Sequence, residues 1–368
     1  MSTSAPTSSP EPPEFIRGSL IPALPDDLAI HCVALLPRAA HPSLALVSRA
    51  FHTLLCRDPG PLLAARRRLR LSDPHVILSP PPAGLRLASL LPPPPASRMA
   101  TAASPVPSRP RLLLLLGRRR RQPGVPLRRI LDPRTRSWSV GPRLSSPREF
   151  AAAVAHSGVL FVAGGCVPSS PFWAESLNLS SPDAKWSPVP SPPHFREKWM
   201  HGSASLAGKV LAVADRGGLA YDPAAPPTEA WAPVSPILDM GWKGRAAVVG
   251  GILYSYDYLG QVKGYDPDTD CWSKVEGLEQ ELPKFLCGAT LANVGELLYL
   301  VWEGKWKGKG KAKGKGEARS MVVIDWAAIA VTKAEEGRLT GKVLSRDTIV
   351  FKDMPKGSAI THCIALEL

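Results

Sequence analysis

Pro147-Arg148-Glu149-Phe150-Ala151-Ala152-Ala153-Val154, then Val159-Leu160-Phe161-Val162-Ala163-Gly164-Gly165, then Leu179-Ser180-Ser181-Pro182 and finally Trp186 form the stretch on which the fold turns. A run of small residues is followed by a short apolar run, a proline turn and a large aromatic. Each run is too short for a helix and rich enough in β-formers for a strand. The order then repeats. Trp138, Trp186, Trp231 and Trp272 fall 48, 45 and 41 residues apart, a period that builds one small sheet per copy.

Working outward, each tryptophan is preceded by a turn with proline: Leu131-Asp132-Pro133, Leu179-Ser180-Ser181-Pro182, Tyr221-Asp222-Pro223 and Tyr265-Asp266-Pro267. Asp bonds the backbone two residues on and Pro presets φ, so both favour a turn. Further upstream lie apolar runs at 159–163, 210–214, 252–256 and 297–301. Before these come strands rich in small residues, at Ala151-Ala152-Ala153-Val154, Gly202-Ser203-Ala204-Ser205, Ala246-Ala247-Val248-Val249 and Gly288-Ala289-Thr290-Leu291. Small side chains suit the innermost strand, where several sheets converge on one axis. Four graded strands cannot bury their own faces, and radial stacking of copies can. The chain therefore reads as mostly β, a β-propeller. Sheets centre on Trp138, Trp186, Trp231 and Trp272, and a fifth runs from Phe285 to about Pro355. A sixth is expected from His75–Leu90 paired with the segment beginning at Gly357, which would close the ring with strands from both ends. Six blades are expected, with five or seven as alternatives.

Length and composition agree. The 368 residues exceed one ordinary domain, and 41 prolines with 30 glycines oppose long helices through most of the chain. Residues 1–19 lack a basic start and an apolar stretch, so they read as a disordered lead-in and not a secretory signal. The leucines of 112–116 are too few to span a bilayer. Six scattered cysteines suit a reducing compartment, cytoplasm or nucleus. The net charge of +14 is local: 111–136 holds nine arginines against Asp132, and 305–319 holds six lysines and Arg319 against Glu317. Both read as solvated segments, the second a flexible Lys/Gly insert at 304–319. Nucleic-acid or nuclear-targeting roles are the alternatives.

The pattern changes between residues 20 and 63. Asp26 and Asp27 stand where they can cap a helix and complement its dipole. Leu28, Cys32 and Leu35 or Leu36 follow at helical spacing up to Pro37, and Leu44, Val47, Phe51 and Leu54 or Leu55 form a second stripe. Two or three short helices are predicted, then a linker at 64–74 and the propeller over 75–368. Leu24-Pro25-Asp26-Asp27-Leu28, the terminal Pro37 and Val47-Ser48-Arg49-Ala50-Phe51 together resemble the F-box. The small-strand, apolar-strand, diglycine, tryptophan order resembles the kelch repeat. The combination is similar to the Skp-interacting F-box/kelch-repeat proteins of plants. That resemblance implies a helical F-box docking a Skp-type adaptor, which bridges to a cullin and its RING subunit, while the propeller presents a protein substrate for ubiquitination. By motif position the adaptor contacts would be Leu24, Pro25, Leu28, Pro37, Leu44 and Val47, although Leu28, Leu44 and Val47 could equally be core. A scaffold or ligand sensor outside a ligase is the alternative role.

Nothing in the sequence points to catalysis, a metal or a cofactor. The eight histidines show no paired ligand spacing, and no cysteines lie close together. Gly337-Arg338-Leu339-Thr340-Gly341-Lys342-Val343 is one residue short of a phosphate loop and reads as a hairpin turn. The repeat does mark one feature. Just before each innermost strand stands a basic residue beside an aromatic or small one: Arg148 near Phe150, Lys198-Trp199, Trp242-Lys243, Lys284-Phe285 and Lys356-Gly357. In a ring these positions share one face. They are expected either to hold an acidic or phosphorylated segment or to bond neighbouring blades.

Overall fold

Two units divide the chain, Met1–Leu71 and Ser72–Leu368. The computed structural model describes residues 19–36, 40–69, 72–79, 86–89, 112–115, 128–132, 137–178, 181, 184–192, 196, 200–215, 217–242, 244–257, 260–304, 320–354 and 359–367. The expected lead-in, Pro37, Lys198, Trp199, Lys243, Lys356 and both arginine- and lysine-rich connections lie outside the described residues.

In the first unit, helices α1 (Asp26–Leu35), α2 (His41–Ala45), α3 (Arg49–His52) and α4 (Gly60–Arg68) are joined by a π-helical turn at Thr53–Arg57. Pro25 takes the N-cap of α1 without a side-chain bond. Asp26 is not a helix cap: its Oδ1 accepts the Leu20 amide at 3.0 Å, tying down the chain that leads in. Ser48 caps α3, with its Oγ accepting the Phe51 N–H at 3.1 Å. The core is Val33, Ala34, Leu54, Leu62 and Ala65, with Ile30, Leu44, Phe51 and Leu55 packed against it.

This unit decides one open alternative and corrects one expectation. The stripe of Leu28, Cys32, Leu35 and Leu36 faces out, so Leu28 is not core; α1 buries Ala29, Val33 and Ala34. Nor is 64–68 linker, because α4 runs through it. Its Arg66, almost fully buried, donates from Nη1 to the carbonyls of Ala34 (2.7 Å) and Leu36 (3.2 Å). These belong to the carbonyls that a helix leaves unpaired at its C-terminus, where its dipole also favours a cation. The helical unit therefore needs residues that the sequence pattern assigned to a spacer.

The described strands of the second unit form six blade-like sets, a β-propeller, of which the fourth and fifth are joined into one eight-stranded sheet by parallel pairing of Val275 with Leu339 and Glu276 with Thr340. The first described sheet is β3 (Leu112–Leu115), β4 (Arg128–Asp132) and β5 (Ser137–Val140). The next are β6 (Ala152–His156) to β7 (Val159–Ala163), β8 (Ala174–Asn178) and β9 (Trp186–Val189), and β10 (Met200–Leu206) to β11 (Lys209–Ala214), β12 (Gly217–Tyr221) and β13 (Trp231–Pro233). Helix α5 (Pro236–Gly241) precedes β14 (Ala246–Val249), β15 (Ile252–Tyr256), β16 (Val262–Asp266) and β17 (Cys271–Glu276). The fifth sheet is β18 (Cys287–Val294), β19 (Leu297–Glu303), β20 (Ser320–Lys333) and β21 (Leu339–Met354). The turn from β20 to β21 uses Gly337 at φ 78°, so the suspected phosphate loop is a hairpin. β1 (Ser72–Ser79), β2 (Arg86–Ser89) and β22 (Ala359–Glu367) make the sixth sheet, with β1 and β22 antiparallel from Ser72↔Glu367 to Ser79↔Ala359. Strands from the two ends of the unit thus share one sheet, as the sequence predicts.

The tryptophan period has a physical cause. Each tryptophan is the first or second residue of the last strand of its set and pairs across to the strand before it: Leu131↔Trp138, Leu177↔Trp186, Tyr221↔Trp231 and Tyr265↔Trp272. Three indole N–H groups donate into the segment leaving the preceding sheet, Trp186 to the Pro142 carbonyl (3.2 Å), Trp231 to that of Pro190, and Trp272 to that of Ile237 (2.9 Å). One residue type therefore fills a blade and bonds it to its neighbour.

Candidate functional site

The helical unit exposes large aliphatic side chains that its core does not use. Leu46 is 87% exposed, Val47 70% and Leu28 49%, and Leu35 and Leu36 are also open. Of the predicted adaptor contacts, Leu28, Pro25 and Val47 are thus exposed, Leu24 is half-buried, and Leu44 packs on the helical core. Leu35, Leu36 and Leu46 join them, the first two on the stripe whose spacing was legible but whose direction was not. Small monomers seldom leave such residues gathered in one small unit without a partner.

In the propeller, innermost strands lie side by side and run the same way. Ser203 Oγ donates to Ala153 O at 3.0 Å, and Ser205 Oγ hydrogen-bonds His156 Nδ1 at 2.7 Å, joining β10 to β6. Asn293 Nδ2 donates to Val248 O at 2.8 Å, and Gly250 N to Glu296 Oε2 at 3.3 Å, joining β18 to β14. Segments that enter these strands therefore gather at one rim, together with the connections from each second strand to its third.

Arg148 is not available on that rim. Its side chain is 3% exposed and that of Glu175 is 0%, with Nη2 and Oε2 2.7 Å apart. Its guanidinium also donates to the carbonyls of Gly164 (2.7 Å), Trp173 (2.8 Å) and Phe172. Glu175 Oε1 accepts Ser145 N–H at 2.8 Å. Gly165, at φ 73°, makes this possible: a Cβ there would meet Glu149 O at 2.8 Å. The diglycine and the arginine are one structural device, a buried charge with its acceptors supplied.

Trp242 is likewise removed from the face, because it is fully buried. Its indole N–H donates to Gly244 O at 2.8 Å, and Gly202 of the neighbouring sheet makes room, since a Cβ there would lie 2.9 Å from the ring nitrogen. This props up the positive-φ Gly244 (83°) and, next to it, Arg245. Arg245, which sequence reasoning missed, is exposed. Protein around it nonetheless desolvates its guanidinium and draws its pKa below the ordinary arginine value. Lys284 is exposed on the neighbouring connection, beside Phe285 at 69%. Phe150, also two residues before an innermost strand, is exposed at φ 57°.

Three acids near the rim have neighbours. Asp257 pairs with Lys263 at 2.7 Å, Asp215 faces His201 at 3.5 Å, and Glu303 accepts the Ile360 amide at 3.3 Å. Among the described residues no group of His, Cys, Asp and Glu could hold a metal ion.

The FKB95 kelch-repeats domain family matches residues 88–350. Among proteins of Arabidopsis thaliana, F-box/kelch-repeat protein At4g39550 is 28% identical over 323 residues, 77% of this chain and 80% of its own. F-box/kelch-repeat protein At4g19865 is 27% identical over 382 residues, 94% of this chain and 92% of its own. F-box/kelch-repeat protein SKIP25 is 30% identical over 220 residues, 53% of each. Among solved structures, one described as "Structure of YjhT" matches 56% of this chain and 67% of that one at 15% identity and a TM-score of 0.35.

Proposed function

The chain belongs to the FKB95 kelch-repeat family and is a plant F-box/kelch-repeat protein, and from that premise we propose that it is the substrate-recognition subunit of a Skp–cullin–F-box ubiquitin ligase. In this reading it carries no catalytic residue of its own and works in the cytoplasm or nucleus. The helical unit docks a Skp-type adaptor, which brings cullin and RING subunit, and the propeller rim holds a protein substrate. The observation that carries the proposal is the outward apolar set Leu28, Leu35, Leu36, Leu46 and Val47 on a unit whose core is already complete without it. Burying such side chains against a partner is favourable by about 1.5–3 kcal/mol each when fully covered.

The test is capture of a purified Skp-type adaptor by the full chain. Wild type is expected to bind, and Leu46→Asp plus Val47→Asp to abolish binding while leaving thermal unfolding unchanged. Failure of the wild type to bind the adaptor overturns the proposal. Cullin in the same complex separates a ligase receptor from an F-box scaffold acting elsewhere; adaptor without cullin favours the scaffold.

A further inference from the structure

On the rim the acids Asp257 and Glu303 have partners, whereas the side chains of the cations Arg245 and Lys284 have none: neither makes a hydrogen bond or ion pair among the described residues. For Lys284, at an open surface, that is ordinary. For Arg245 it is not, because desolvation penalises its charge and no anion compensates.

The support beneath Arg245 makes the arrangement specific. A fully buried tryptophan fixes the carbonyl one residue before it, and the glycine of the neighbouring innermost strand lets that tryptophan approach. The arginine is therefore delivered on a rigid connection at the start of β14. The parallel strand β18 delivers Lys284 and exposed Phe285 to the same rim. A planar donor fork, a second cation and an aromatic face together match an anionic oxygen group next to an apolar side chain.

We propose that Arg245 is the anchor of an anion site at the mouth of the propeller, taking a carboxylate or phosphate group of an extended peptide segment, with Lys284 adding charge and Phe285 covering the adjoining side chain. The inference names a substrate class for the rim and so rests on the receptor reading above. Backbone phosphates of nucleic acid share the charge but not the spacing to an apolar side chain, so a peptide is the occupant argued for here.

Three fluorescein-labelled decapeptides of alternating residues test this on the full chain by anisotropy: Glu-Leu, phosphoserine-Leu and Gln-Leu. The Glu or phosphoserine peptide is expected to bind and the Gln peptide to bind at least about ten-fold more weakly. The tighter of the two anionic peptides identifies carboxylate or phosphate as the group taken. Arg245→Gln is expected to weaken anionic binding by about ten-fold or more, and Arg245→Lys by less, because it keeps the charge and loses the fork. Lys209→Gln, in the turn at the far end of β10, is expected to change nothing. Equal affinity of wild type and Arg245→Gln for the anionic peptides would overturn the inference. So would the lack of any preference over the Gln peptide, or an oligonucleotide of equal charge that binds more tightly than either. Adaptor capture by Arg245→Gln should match wild type, so failure here and failure of the receptor reading are separate results.

Discussion

Arg148 and Arg245 both stand in segments leading into innermost strands, and they have opposite fates. In the second sheet the arginine is buried and surrounded by acceptors: a carboxylate, three carbonyls and the Cys166 sulfur at 3.4 Å. In the fourth it is exposed, desolvated and unmatched. A basic residue at a repeat position therefore says little by itself. Its acceptors decide whether it stabilises the blade or remains available to a ligand.

The sharpest way to break that contrast is to remove the acceptor. Glu175→Ala leaves Arg148 charged and buried without its carboxylate, and Ser145 N–H without its acceptor. Breaking a buried pair from one side costs about 3–5 kcal/mol. Chemical denaturation should show this as a large fall in midpoint, and a loss below about 1 kcal/mol would mean that the carbonyls alone suffice for Arg148. A double change of Arg148→Met and Glu175→Leu should recover part of the loss, because no unpaired charge remains.

The sequence shows one half of this contrast. Gly164-Gly165 stands in the second sheet, while the corresponding positions hold Ala214-Asp215 and Asp257-Tyr258 in the third and fourth, so neither of those two blades could host the arginine in that way. The tryptophan period, the small innermost strands and the closing sheet were also legible, because each arises from local spacing. Three features were not. The direction of the Leu28 stripe depends on which face α4 covers, and α4 looked like a linker because Arg66, Arg67 and Arg68 mask its buried Leu62, Leu63 and Ala65. Trp242 looked like a binding aromatic, and its burial depends on Gly202, forty residues earlier. Arg245 carried no signal, because lacking a partner is a property of three-dimensional neighbours. Helix α5, by contrast, could have been found: Ser235 before Pro236 is a capping residue followed by the favoured first helical residue.

The seam between α5 and Trp272 tests how much close packing, without charge, contributes. Gly241 ends α5 directly beneath Trp272, and a Cβ there would lie 2.1 Å from the indole nitrogen. That nitrogen also donates to Ile237 O. Gly241→Ala must therefore displace the ring and its hydrogen bond, at about 1–3 kcal/mol. The measurement is a denaturation midpoint beside the near-ultraviolet signal of the tryptophans; an unchanged midpoint would show that the seam relaxes freely.

Lys333 and Asp266 form the intermediate electrostatic case, an inter-sheet pair at 2.6 Å with the lysine half-exposed. The hydrogen bond from Lys333 is the largest cause that holds the Asp266 pKa below its ordinary 3.8. A depressed carboxylate pKa contributes stability above the unfolded value, and that contribution is lost as pH falls through the folded value. Asp266→Asn should therefore reduce the acid dependence of unfolding below about pH 4 and leave the slope near neutrality unchanged. The change should be far smaller than for Glu175→Ala, because solvent screens a partly exposed pair.

At the small end stands Arg245→Gln, and its near-zero effect on folding is the informative result. A charge that desolvation disfavours and no acid compensates does not stabilise the folded chain, so its removal should leave unfolding within about 0.5 kcal/mol of wild type or raise stability slightly. Its lowered pKa opens no pH window near neutrality, since an arginine stays protonated there. A fall in stability as large as that of Glu175→Ala would mean that Arg245 has a partner after all, and would move it into the class of Arg148. A neutral or favourable change, together with lost binding of anionic peptides, would mean that a small stability penalty at the rim is offset only when a ligand arrives.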